Sequence, residues 1–369
     1  MAAALALARR GLGRVWPNPA VGCVLVQEDS QGGVVVGRGW TQPGGRPHAE
    51  VEALARAGDQ ARGATAYVTL EPCSHHGQTP PCADALIAAG VARVVVALGD
   101  PDPRVSGRGL ARLRAAGVRV DEGVGANEAR VVTAGFLTRI TEGRPLVTVK
   151  AATTLDGRIA TASGESRWIT GPSARALGHR LRATHDAIAV GIGTALADDP
   201  MLDCRLAGLE DRSPVRVVID GALRLPTDGR LVASADRLPV WVLCRTETLE
   251  TPDGQARRDR LEARGTRVMP VARDEAGQVD LGDALQALGG AGLTRLLVEG
   301  GGRLIGSLLG ADLVDHLAWM QAPRLLGDSA RPAVAGFGVD RLADCANFAP
   351  LDWTSAGPDM VLWARRADA

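Results

Sequence analysis

The segment that decides the fold lies in the first third of the chain, where residues 46–82 read RPHAEVEALARAGDQARGATAYVTLEPCSHHGQTPPC. Its apolar spacing predicts a helix from about Pro47 to Ala57, and the run ATAYVTL, residues 64–70, predicts a strand. A second helix is expected from about Cys82 to Ala89. The order helix, strand, helix indicates an α/β fold.

The same alternation extends outward from this segment in both directions. Upstream, AVGCVLV (20–26) and VVVGRGW (34–40) predict two strands joined by a turn, and residues 1–13 are typical of an amphipathic helix rather than a signal peptide. Downstream, RVVVAL (93–98) predicts a strand, and helices are expected near 109–116 and 127–140. Residues 1–144 are therefore predicted to form a three-layer α/β/α domain with a largely parallel sheet.

A break at Glu142-Gly143-Arg144-Pro145 separates this domain from a second one, residues 145–369. There, helices are expected near 172–183, 281–288 and 303–309, and a strand is expected after Asp315. They alternate with the predicted strands LVTVKA, DAIAVG, VRVVID, PVWVLC and RLLVEG. This pattern predicts another α/β domain. The polar stretch around 234–265 is expected to be the least ordered part.

The charge balance limits the kind of partner. The 369 residues include 42 Lys and Arg and 42 Asp and Glu, so the formal net charge is zero. Nucleic-acid coats and membrane-surface binders need a basic excess to reach phosphates, so neither is expected. No apolar run approaches the ~20 residues that span a bilayer, and 6 cysteines are too few for a disulfide scaffold. We expect a cytoplasmic protein that acts on a small molecule, with no nucleic-acid or membrane partner.

Three residues of the opening segment have the chemistry of a metal site. His48 begins the first helix, Cys73 follows the strand and Cys82 begins the second helix. One imidazole and two thiolates leave the fourth tetrahedral position of Zn²⁺ open for water, which is typical of catalytic zinc. Glu50, two residues after His48, can take a proton from that water and pass it to a leaving amine. This combination predicts a deaminase with one Zn²⁺ in its domain.

The spacing of the cysteines leaves an alternative open. They are separated by eight residues, CSHHGQTPPC, instead of the two of the commonest deaminase motif. His75 or His76 could in principle supply a fourth ligand and close the site as structural zinc, although we interpret them mainly as pocket residues. A non-catalytic, zinc-stabilised binding protein is therefore the alternative from a different class.

Two glycine-rich turns in the second domain are candidate phosphate sites. Glu299-Gly300-Gly301-Gly302 follows an apolar run and leads into a helix, and Gly191-Ile192-Gly193-Thr194 also follows a strand. Glycines let the backbone approach a pyrophosphate at a helix N-terminus. The first turn lacks the position and the following acidic residue of the standard dinucleotide-binding motif, and it could equally be only a tight turn.

Longer stretches resemble one family. They are PNPAVGCVLV, HAE, YVTLEPCSHHGQTPPC and DPDPRVSGRG in the first domain, and VKAATTLDGRIAT, SGESRWIT, ADDP and VEGGG in the second. Over nearly the whole chain they resemble the bifunctional deaminase-reductases of riboflavin biosynthesis. The resemblance implies a cytidine-deaminase-like domain followed by a dihydrofolate-reductase-like domain. It also implies zinc and NADPH as cofactors, a phosphoribosylaminopyrimidine substrate and a homo-oligomer that dimerises through the reductase domain.

In this family the pyrimidine first loses an exocyclic amine, and NADPH then reduces the opened ribose to a ribityl chain. The resemblance implies that Glu50 moves the proton in the first step and that Asn18 binds the pyrimidine, the alternative being that Asn18 is only a turn residue. Two positions depart from the family pattern. Gln78 replaces a usual Lys or Arg, and Asp102 replaces a usual Asn. Both resemble contacts near the ribosyl phosphate, so the departures bear on phosphate binding in this domain.

The resemblance also implies roles in the second domain. The residues implied to line NADPH are Ala152, Trp168, Thr194, Asp198, Gly221, Gly301, Gly302, Arg303, Leu304, Ile305, Gly306 and Ser307. The residues implied to face the substrate are Lys150, Ser166, Arg182, Leu202, Arg205 and Glu299. Arg182 and Arg205 suit a phosphate because a guanidinium grips two oxygens. Either arginine could instead be a surface charge, and Trp168 could be core packing.

A second enzyme hypothesis keeps both folds and changes the substrate. The first domain would then deaminate another pyrimidine or a nucleoside, and the reductase fused to it would be unrelated. A panel of substrates distinguishes this hypothesis from the riboflavin pathway.

Lysine occurs once in the chain. Of the 42 basic residues 41 are arginines, and the one lysine is Lys150, at the predicted end of the strand LVTVKA. A lysine retained where arginine serves everywhere else indicates a position that needs a compact ammonium group. The carboxyl end of a parallel strand is also where such sheets contact their ligands.

We expect Lys150→Arg to lower kcat/KM of the reductase step by about tenfold or more, because a planar guanidinium does not replace an ammonium in a confined pocket. Steady-state oxidation of NADPH measures the effect, and the deaminase activity of the same chain is the control. Near-normal reductase kinetics would mean that the single lysine is an accident of composition.

Overall fold

The structure is a computed structural model and describes residues 1–29, 32–75 and 80–367 of the chain. It divides into two compact units, Met1–Gly143 and Arg144–Ala369. The boundary expected from the sequence lies one residue later, between 144 and 145. Within the described ranges no helix is long and apolar enough to cross a membrane.

The first unit contains a mixed sheet and five α-helices in its described part. Its strands are β1 (Gly22–Asp29), β2 (Gly32–Trp40), β3 (Thr65–Val68), β4 (Arg93–Val96) and β5 (Arg119–Glu122). Its helices are α1 (Ala2–Ala8), α2 (Ala49–Ala57), α3 (Cys82–Ala88), α4 (Arg108–Ala115) and α5 (Ala126–Glu142). Short 3-10 helices span Arg9–Gly11, Pro43–Gly45 and Gly58–Ala61. The strand order is β2-β1-β3-β4-β5.

Strand β1 runs against the rest of this sheet. It pairs antiparallel with both β2 and β3, whereas β3, β4 and β5 are parallel to one another. The largely parallel sheet predicted from the sequence is therefore found only from β3 onward. The reason is that β1 and β2 follow each other as a hairpin, and the two strands of a hairpin are antiparallel.

Helices cover both faces of this sheet, as the predicted three layers require. Side chains of a strand alternate between the faces, so Cys23 and Leu25 of β1 are buried in the core that also contains α2, whereas Gly22 faces α1. Leu5 of α1 and Val132 of α5 belong to a smaller cluster of buried residues.

The second unit contains a larger sheet. Its strands are β6 (Leu146–Thr154), β7 (Arg158–Ala160), β8 (Ala187–Gly191), β9 (Val215–Ile219), β10 (Val240–Arg245), β11 (Arg267–Val271), β12 (Arg295–Val298), β13 (His316–Ala322), β14 (Arg331–Pro332), β15 (Phe348–Ala356) and β16 (Asp359–Arg366). Its helices are α6 (Pro172–Thr184), α7 (Ile192–Asp198), α8 (Arg230–Ala233), α9 (Pro252–Glu262), α10 (Leu281–Gly290) and α11 (Gly302–Gly310). Short 3-10 helices span Glu210–Arg212, Thr246–Glu250 and Leu342–Asp344.

Nine of these strands form one sheet of order β11-β10-β9-β8-β12-β6-β13-β16-β15, and β7 pairs with β14. The strands from β11 to β13 are parallel, and β16 and β15 complete the sheet in antiparallel fashion. The carboxyl ends of the parallel strands therefore lie along one edge, which is where ligands bind in open α/β sheets.

The structure corrects two expectations about this unit. The stretch 234–265, expected to be the least ordered, contains β10 and α9, and the Thr251 side chain caps α9 by accepting the Gly254 N–H. Only Gly254 and Leu261 of α9 are buried. The helix therefore needs few apolar residues, and the stretch is polar although it is ordered. Lys150 lies in the middle of β6 and not at its end, since the strand continues to Thr154 in register with β13.

Helix α2 lies unusually close to the first sheet because two residues of β2 have no side chain. A Cβ atom on Gly37 would lie 2.3 Å from the carbonyl oxygen of Ala53, and one on Gly39 would lie 2.1 Å from that of Ala49. Ala49 stands between His48 and the next predicted site residue, so this close packing fixes the position of the amino end of α2.

We expect Gly39→Ala to destabilise the first unit by about 1–3 kcal/mol, the usual cost of forcing a methyl group into a filled core. The purified protein should also retain less zinc, because α2 must move away from the sheet. Thermal unfolding and metal analysis measure both effects. Gly290→Ala in α10 is the control, since a Cβ there meets nothing within 4 Å. A Gly39→Ala protein with unchanged stability and zinc content would contradict this expectation.

Candidate active sites

The three predicted metal ligands converge in the first unit. His48 is the N-cap residue of α2, Cys82 is the first residue of α3, and Cys73 lies in the segment between β3 and α3. The Nδ1 atom of His48 lies 3.7 Å from the Sγ of Cys73 and 3.3 Å from the Sγ of Cys82. Among the described histidines, cysteines and acidic residues, these three form a group whose ligand atoms all lie within 4.8 Å of one another.

These donor atoms fit one tetrahedral Zn²⁺. With Zn–S near 2.3 Å and Zn–N near 2.0–2.1 Å, the ligand atoms of one zinc lie about 3.5–3.8 Å apart, close to the distances found here. The Cys82 N–H also donates to the Sγ of Cys73 at 3.3 Å. Hydrogen bonding from the Cys82 thiol lowers the pKa of Cys73 to about 4, so one thiolate is already favoured without a metal.

Glu50 occupies the first turn of α2 and is only 3% exposed. Burial, and after it the charge of Cys73, raises the pKa of Glu50 to about 7. A carboxyl group with a pKa near neutrality can both take up and release a proton at physiological pH, which general acid–base catalysis requires. A role of Glu50 in proton transfer stays a prediction, and its burial and raised pKa are compatible with that role.

A carboxylate that the sequence did not mark as functional organises a loop near these ligands. Glu71, two residues before Cys73, is 4% exposed. It accepts hydrogen bonds at 3.0–3.4 Å from four backbone N–H groups, those of Asp100, Gly107, Gly109 and Leu110. These donors lie in the loop after β4 and in the first turn of α4, so Glu71 joins both to the segment that carries Cys73.

The two family-implied substrate positions that the structure describes in this unit are held by local contacts. The Asn18 amide donates to the carbonyl oxygen of Gly45 at 3.0 Å, which leaves the amide oxygen of Asn18 available. The carboxylate of Asp102 forms two-pronged hydrogen bonds with Arg104, and these lower the pKa of Asp102. The negative charge that replaces a usual asparagine is therefore paired with a cation two residues away.

The histidines between the two cysteines do not add a ligand in the described part of the chain. His75 is not among the residues whose ligand atoms cluster around His48. Its Nδ1 atom is buried and has no hydrogen-bond partner in the described ranges. His76 and Gln78 lie outside the described residues. The three-ligand arrangement, with one position open, is the one that the described atoms support.

In the second unit, the predicted cofactor and substrate residues lie on β6, in the segments and helices that follow β8, β9 and β12, and on or just before α6. Lys150 and Ala152 lie on β6, and Gly221 and Glu299 follow β9 and β12 respectively. Of the others, Thr194 and Asp198 lie on α7, Ser166 and Trp168 precede α6, Arg182 is on α6, Leu202 and Arg205 follow α7, Gly301 caps α11, and Gly302, Arg303, Leu304, Ile305, Gly306 and Ser307 are on α11.

The carboxylate of Glu299 is shared by two cations. Arg182 donates through Nε and Nη2 to its two oxygens at 2.7 and 2.9 Å, and the Nζ of Lys150 lies 3.6 Å from Oε2. Burial disfavours the charged form, but Arg182 and Lys150 outweigh it and lower the pKa of Glu299 to about 2. Glu299 therefore stays ionised at neutral pH and holds both cations beside the carboxyl end of β12.

The segment after α7 packs around Arg182. The Nη1 of Arg182 donates to the carbonyl oxygen of Asp203 at 2.8 Å, and the Asp203 carboxylate pairs with Arg205 at 3.0 Å. The Arg205 N–H donates to Nδ1 of His179 at 3.2 Å. Leu202 is buried and has a φ of +53°, a left-handed conformation rare for leucine. The side chain of Arg205 is itself 54% exposed.

The glycines at the start of α11 have two different roles. Gly302 and Gly306 pack against the backbone of residues 332–335, because a Cβ on either would lie 2.1–2.5 Å from a carbonyl oxygen of that segment. Gly301 instead faces the first turn of α7, where its Cβ would lie 3.1 Å from the Oγ1 of Thr194. The two glycine-rich turns therefore meet at Gly301, and their meeting fits a pyrophosphate near the amino end of α11.

Trp168 is a surface residue, so the core-packing alternative is wrong. Its side chain is 59% exposed, and the guanidinium of Arg175 lies 4.6 Å from the ring centroid. Asp198 is exposed too, and its carbonyl oxygen accepts a hydrogen bond from Arg167 at 3.2 Å. An exposed ring beside the site is available to a bound ligand.

Comparison with known proteins agrees with this division. The family described as "Cytidine and deoxycytidylate deaminase zinc-binding region" matches residues 1–98, and the "RibD C-terminal domain" matches residues 145–362. The riboflavin biosynthesis protein RibD of Escherichia coli K12 is 44% identical over 98% of this chain and 97% of that protein. RibD of Aquifex aeolicus is 38% identical over 99% and 97% respectively.

Solved structures agree as well. RibD of Acinetobacter baumannii superposes with a TM-score of 0.86 at 37% identity, covering 99% of this chain and 97% of that one. A Thermotoga maritima protein has a TM-score of 0.83 at 32% identity, with the same coverage of 99% and 97%. It is described as a diaminohydroxyphosphoribosylaminopyrimidine deaminase and 5-amino-6-(5-phosphoribosylamino)uracil reductase.

We expect Glu71→Gln to loosen the loop after β4. The amide would turn one acceptor into a donor and leave backbone N–H groups unpaired, at a cost of about 1–3 kcal/mol for each. The KM of the deaminase should rise by about threefold or more, with zinc still bound. Glu122→Gln, at an exposed carboxylate of β5 that pairs with Arg114, is the control. Wild-type KM and wild-type stability in Glu71→Gln would contradict the role given to Glu71.

Proposed function

Because the chain belongs to the RibD family of bifunctional riboflavin biosynthesis enzymes, we propose that it acts twice on one phosphoribosylaminopyrimidine. The first domain would deaminate 2,5-diamino-6-(5-phosphoribosylamino)pyrimidin-4-one to 5-amino-6-(5-phosphoribosylamino)uracil. The second would reduce the ribosyl group of that product to ribityl with NADPH. The observation that carries the proposal is the open group of His48, Cys73 and Cys82 with the buried Glu50 beside it.

In the deamination, zinc supplies a Lewis acid that makes water a nucleophile at neutral pH. His48, Cys73 and Cys82 would hold the metal, and Glu50 would accept one proton from the attacking water at its carboxylate. Glu50 would then donate that proton to the exocyclic nitrogen, which leaves as ammonia. The ring carbon becomes a carbonyl, and the second proton of the water ends on the adjacent ring nitrogen. The amide of Asn18, fixed by Gly45, orients the ring.

In the reduction, bound NADPH would supply a hydride to the first carbon of the opened ribose, an imine, whose nitrogen would take up a proton from solvent. The chain contributes position and charge. Arg205, whose side chain is exposed, would bind the ribosyl phosphate together with the remaining N–H groups of Arg182. Glu299 accepts two N–H groups of Arg182 and keeps Arg182 and Lys150 in place. Ser166 and Leu202 complete the substrate side. The cofactor side is formed by Ala152, Trp168, Thr194, Asp198, Gly221 and residues 301–307.

The metal ligands also support a location in the cytoplasm. The described cysteines are all free thiols, including Cys73 and Cys82, and two thiols at this distance need a reducing compartment to remain available to a metal. We place dimerisation in the reductase domain, where the edge strand β15 exposes Leu351 and Trp353 at 54% and 57%. Unpaired strand edges with apolar side chains are common places for a second copy to bind.

We expect Glu50→Gln to lower the deaminase kcat by about a hundredfold or more, the usual contribution of a general acid–base group. Zinc content should not change. Ammonia release measures the first step, and NADPH oxidation with supplied deaminated product measures the second, which should stay at the wild-type rate. Glu52→Gln on the same helix, whose carboxylate pairs with Arg56 at 3.2 Å, is the matched control.

The outcomes separate the hypotheses. Normal ammonia release by Glu50→Gln would overturn the proton-transfer role. A wild-type enzyme that deaminates another pyrimidine or a nucleoside and not the diaminopyrimidine would favour the second enzyme hypothesis. A protein that folds normally after rapid loss of zinc would exclude the non-catalytic, zinc-stabilised alternative.

A further inference from the structure

A cleft of about 350 Å³ lies in the second unit beside Gly221. It is formed by residues that follow β9, β10 and β11, the strands at one end of the parallel sheet. Three of its lining residues are arginines, Arg245, Arg257 and Arg273. We refer to it as the arginine cleft, and neither the deaminase chemistry nor the hydride transfer uses it.

Arg245 supplies the net charge of the cleft. Its Nε donates to the carbonyl oxygen of Gly221 at 3.3 Å, and its Nη1 donates to that of Gly277 at 2.8 Å. Among the described residues no carboxylate lies within salt-bridge distance of Arg245. Two neutral carbonyls hold the guanidinium in place without cancelling its charge, and Nη2 has no hydrogen bond within the described residues.

The other two arginines are already neutralised. Arg257 pairs with Asp253 at 2.8 Å, and Arg273 pairs with Glu247 at 3.1 Å. The five charged residues of the lining therefore leave one positive charge, which belongs to Arg245. A guanidinium with its charge uncompensated and its hydrogen-bond fork partly free is suited to a phosphate group, which can accept from two N–H donors at once.

One wall of the arginine cleft is the backbone at the amino end of α9, and hydrogen bonds and close packing hold this backbone in place. The Oγ1 of Thr248 donates to the carbonyl oxygen of Gly221 at 2.6 Å, and Nη1 of Arg257 donates to that of Ala222 at 3.2 Å. A Cβ on Gly254 would lie 1.7 Å from the carbonyl oxygen of Thr248. The wall of the cleft is therefore held to the turn after β9 by several contacts.

The strand order places the cleft along the path of the proposed cofactor. The glycine-rich turns follow β12 and β8, Gly221 follows β9, and Arg245 ends β10, and these strands are neighbours in that order. Adjacent strands lie about 4.8 Å apart, and β10 is the second strand from β8, so the backbone of Arg245 lies about 10 Å from the end of β8. The nicotinamide must reach the substrate groups at β6 and β12. With the pyrophosphate at the glycine-rich stretches, the adenosine ribose would therefore extend in the opposite direction, toward β9 and β10.

We propose that the arginine cleft binds a phosphate monoester, the 2′-phosphate of NADPH, and that Arg245 thereby makes the reductase prefer NADPH to NADH. This inference rests on the proposed reductase function. The substrate also carries a phosphate monoester, but the predicted substrate groups Lys150, Arg182 and Glu299 gather at β6, β12 and α6. The strands β8 and β9 lie between these groups and Arg245 at the end of β10, which favours the cofactor as the source of the phosphate.

The test is a binding comparison on the full chain. Isothermal titration calorimetry gives the Kd of NADPH, NADH, adenosine 2′,5′-bisphosphate and adenosine 5′-monophosphate for wild type and Arg245→Gln. The glutamine keeps an N–H donor for the Gly221 and Gly277 carbonyls while removing the charge. We expect the two 2′-phosphorylated ligands to weaken by about tenfold or more, as expected for loss of a charge-assisted hydrogen bond, and the other two to change less than about twofold.

Two further variants keep the test decisive. Arg257→Ala leaves the Asp253 carboxylate of the cleft without its cation, and the uncompensated negative charge should weaken only the 2′-phosphorylated ligands. Arg258→Ala is the control, since Arg258 lies on the same helix, pairs with Asp259 at 3.2 Å and does not line the cleft. It should leave all four Kd values at those of wild type.

The remaining outcomes have separate meanings. Equal weakening of all four ligands in Arg245→Gln, or no weakening, would overturn the proposal for the cleft. Weaker binding of the phosphorylated substrate relative to its dephosphorylated form in Arg245→Gln, with unchanged preference for NADPH, would overturn it too and assign the cleft to the substrate. A wild-type protein that binds neither NADPH nor NADH would instead contradict the proposed reductase function.

Discussion

Each of the two sites depends on a helix that packs directly against the backbone of a neighbouring segment. The two backbones are so close at these points that no Cβ atom fits between them. In the first unit Gly39 lets α2 rest on β2 at Ala49, which sets the position of His48. In the second unit Gly306 lets α11 pack against the backbone near 335. Because protein interiors are packed without spare volume, the thickness of one methyl group is enough to displace a ligand atom from the reach of its metal or phosphate.

Three buried glutamates show how the surroundings of a carboxylate decide its role. Glu71 is enclosed by backbone N–H groups and serves to hold a loop. Glu299 is enclosed by cations and remains ionised. Glu50 is dominated by burial, which raises its pKa to about 7. A pKa near neutrality lets Glu50 exchange a proton, and Glu50 is the one of the three that lies beside the metal ligands.

Local patterns predicted the metal site, whereas long-range contacts hid several other features. His48, Cys73 and Cys82 lie within 35 residues of sequence, and their side-chain types and spacing already carried the chemistry. Glu71 and Arg245 gave no such signal, because their partners are backbone N–H and carbonyl groups. Every residue type supplies backbone groups, so the sequence does not mark those partners.

The length of β6 and the order of α9 were missed for a related reason. The end of LVTVKA looked like the end of a strand, but pairing with β13 extends β6 to Thr154. Helix α9 has only two buried residues, so it lacks the apolar stripe by which a helix is recognised from sequence. In both cases tertiary contacts, and not local composition, decide where the element begins and ends.

The single lysine makes this chain unusual as a chemical target. Acylating reagents that react with primary amines find hundreds of sites in an ordinary mixture of proteins, but here Lys150 carries the one ε-amino group in the sequence. That amine lies in a half-buried position against Glu299. A label placed there attaches at one defined point of the reductase domain, and whatever occupies that point shields it from the reagent.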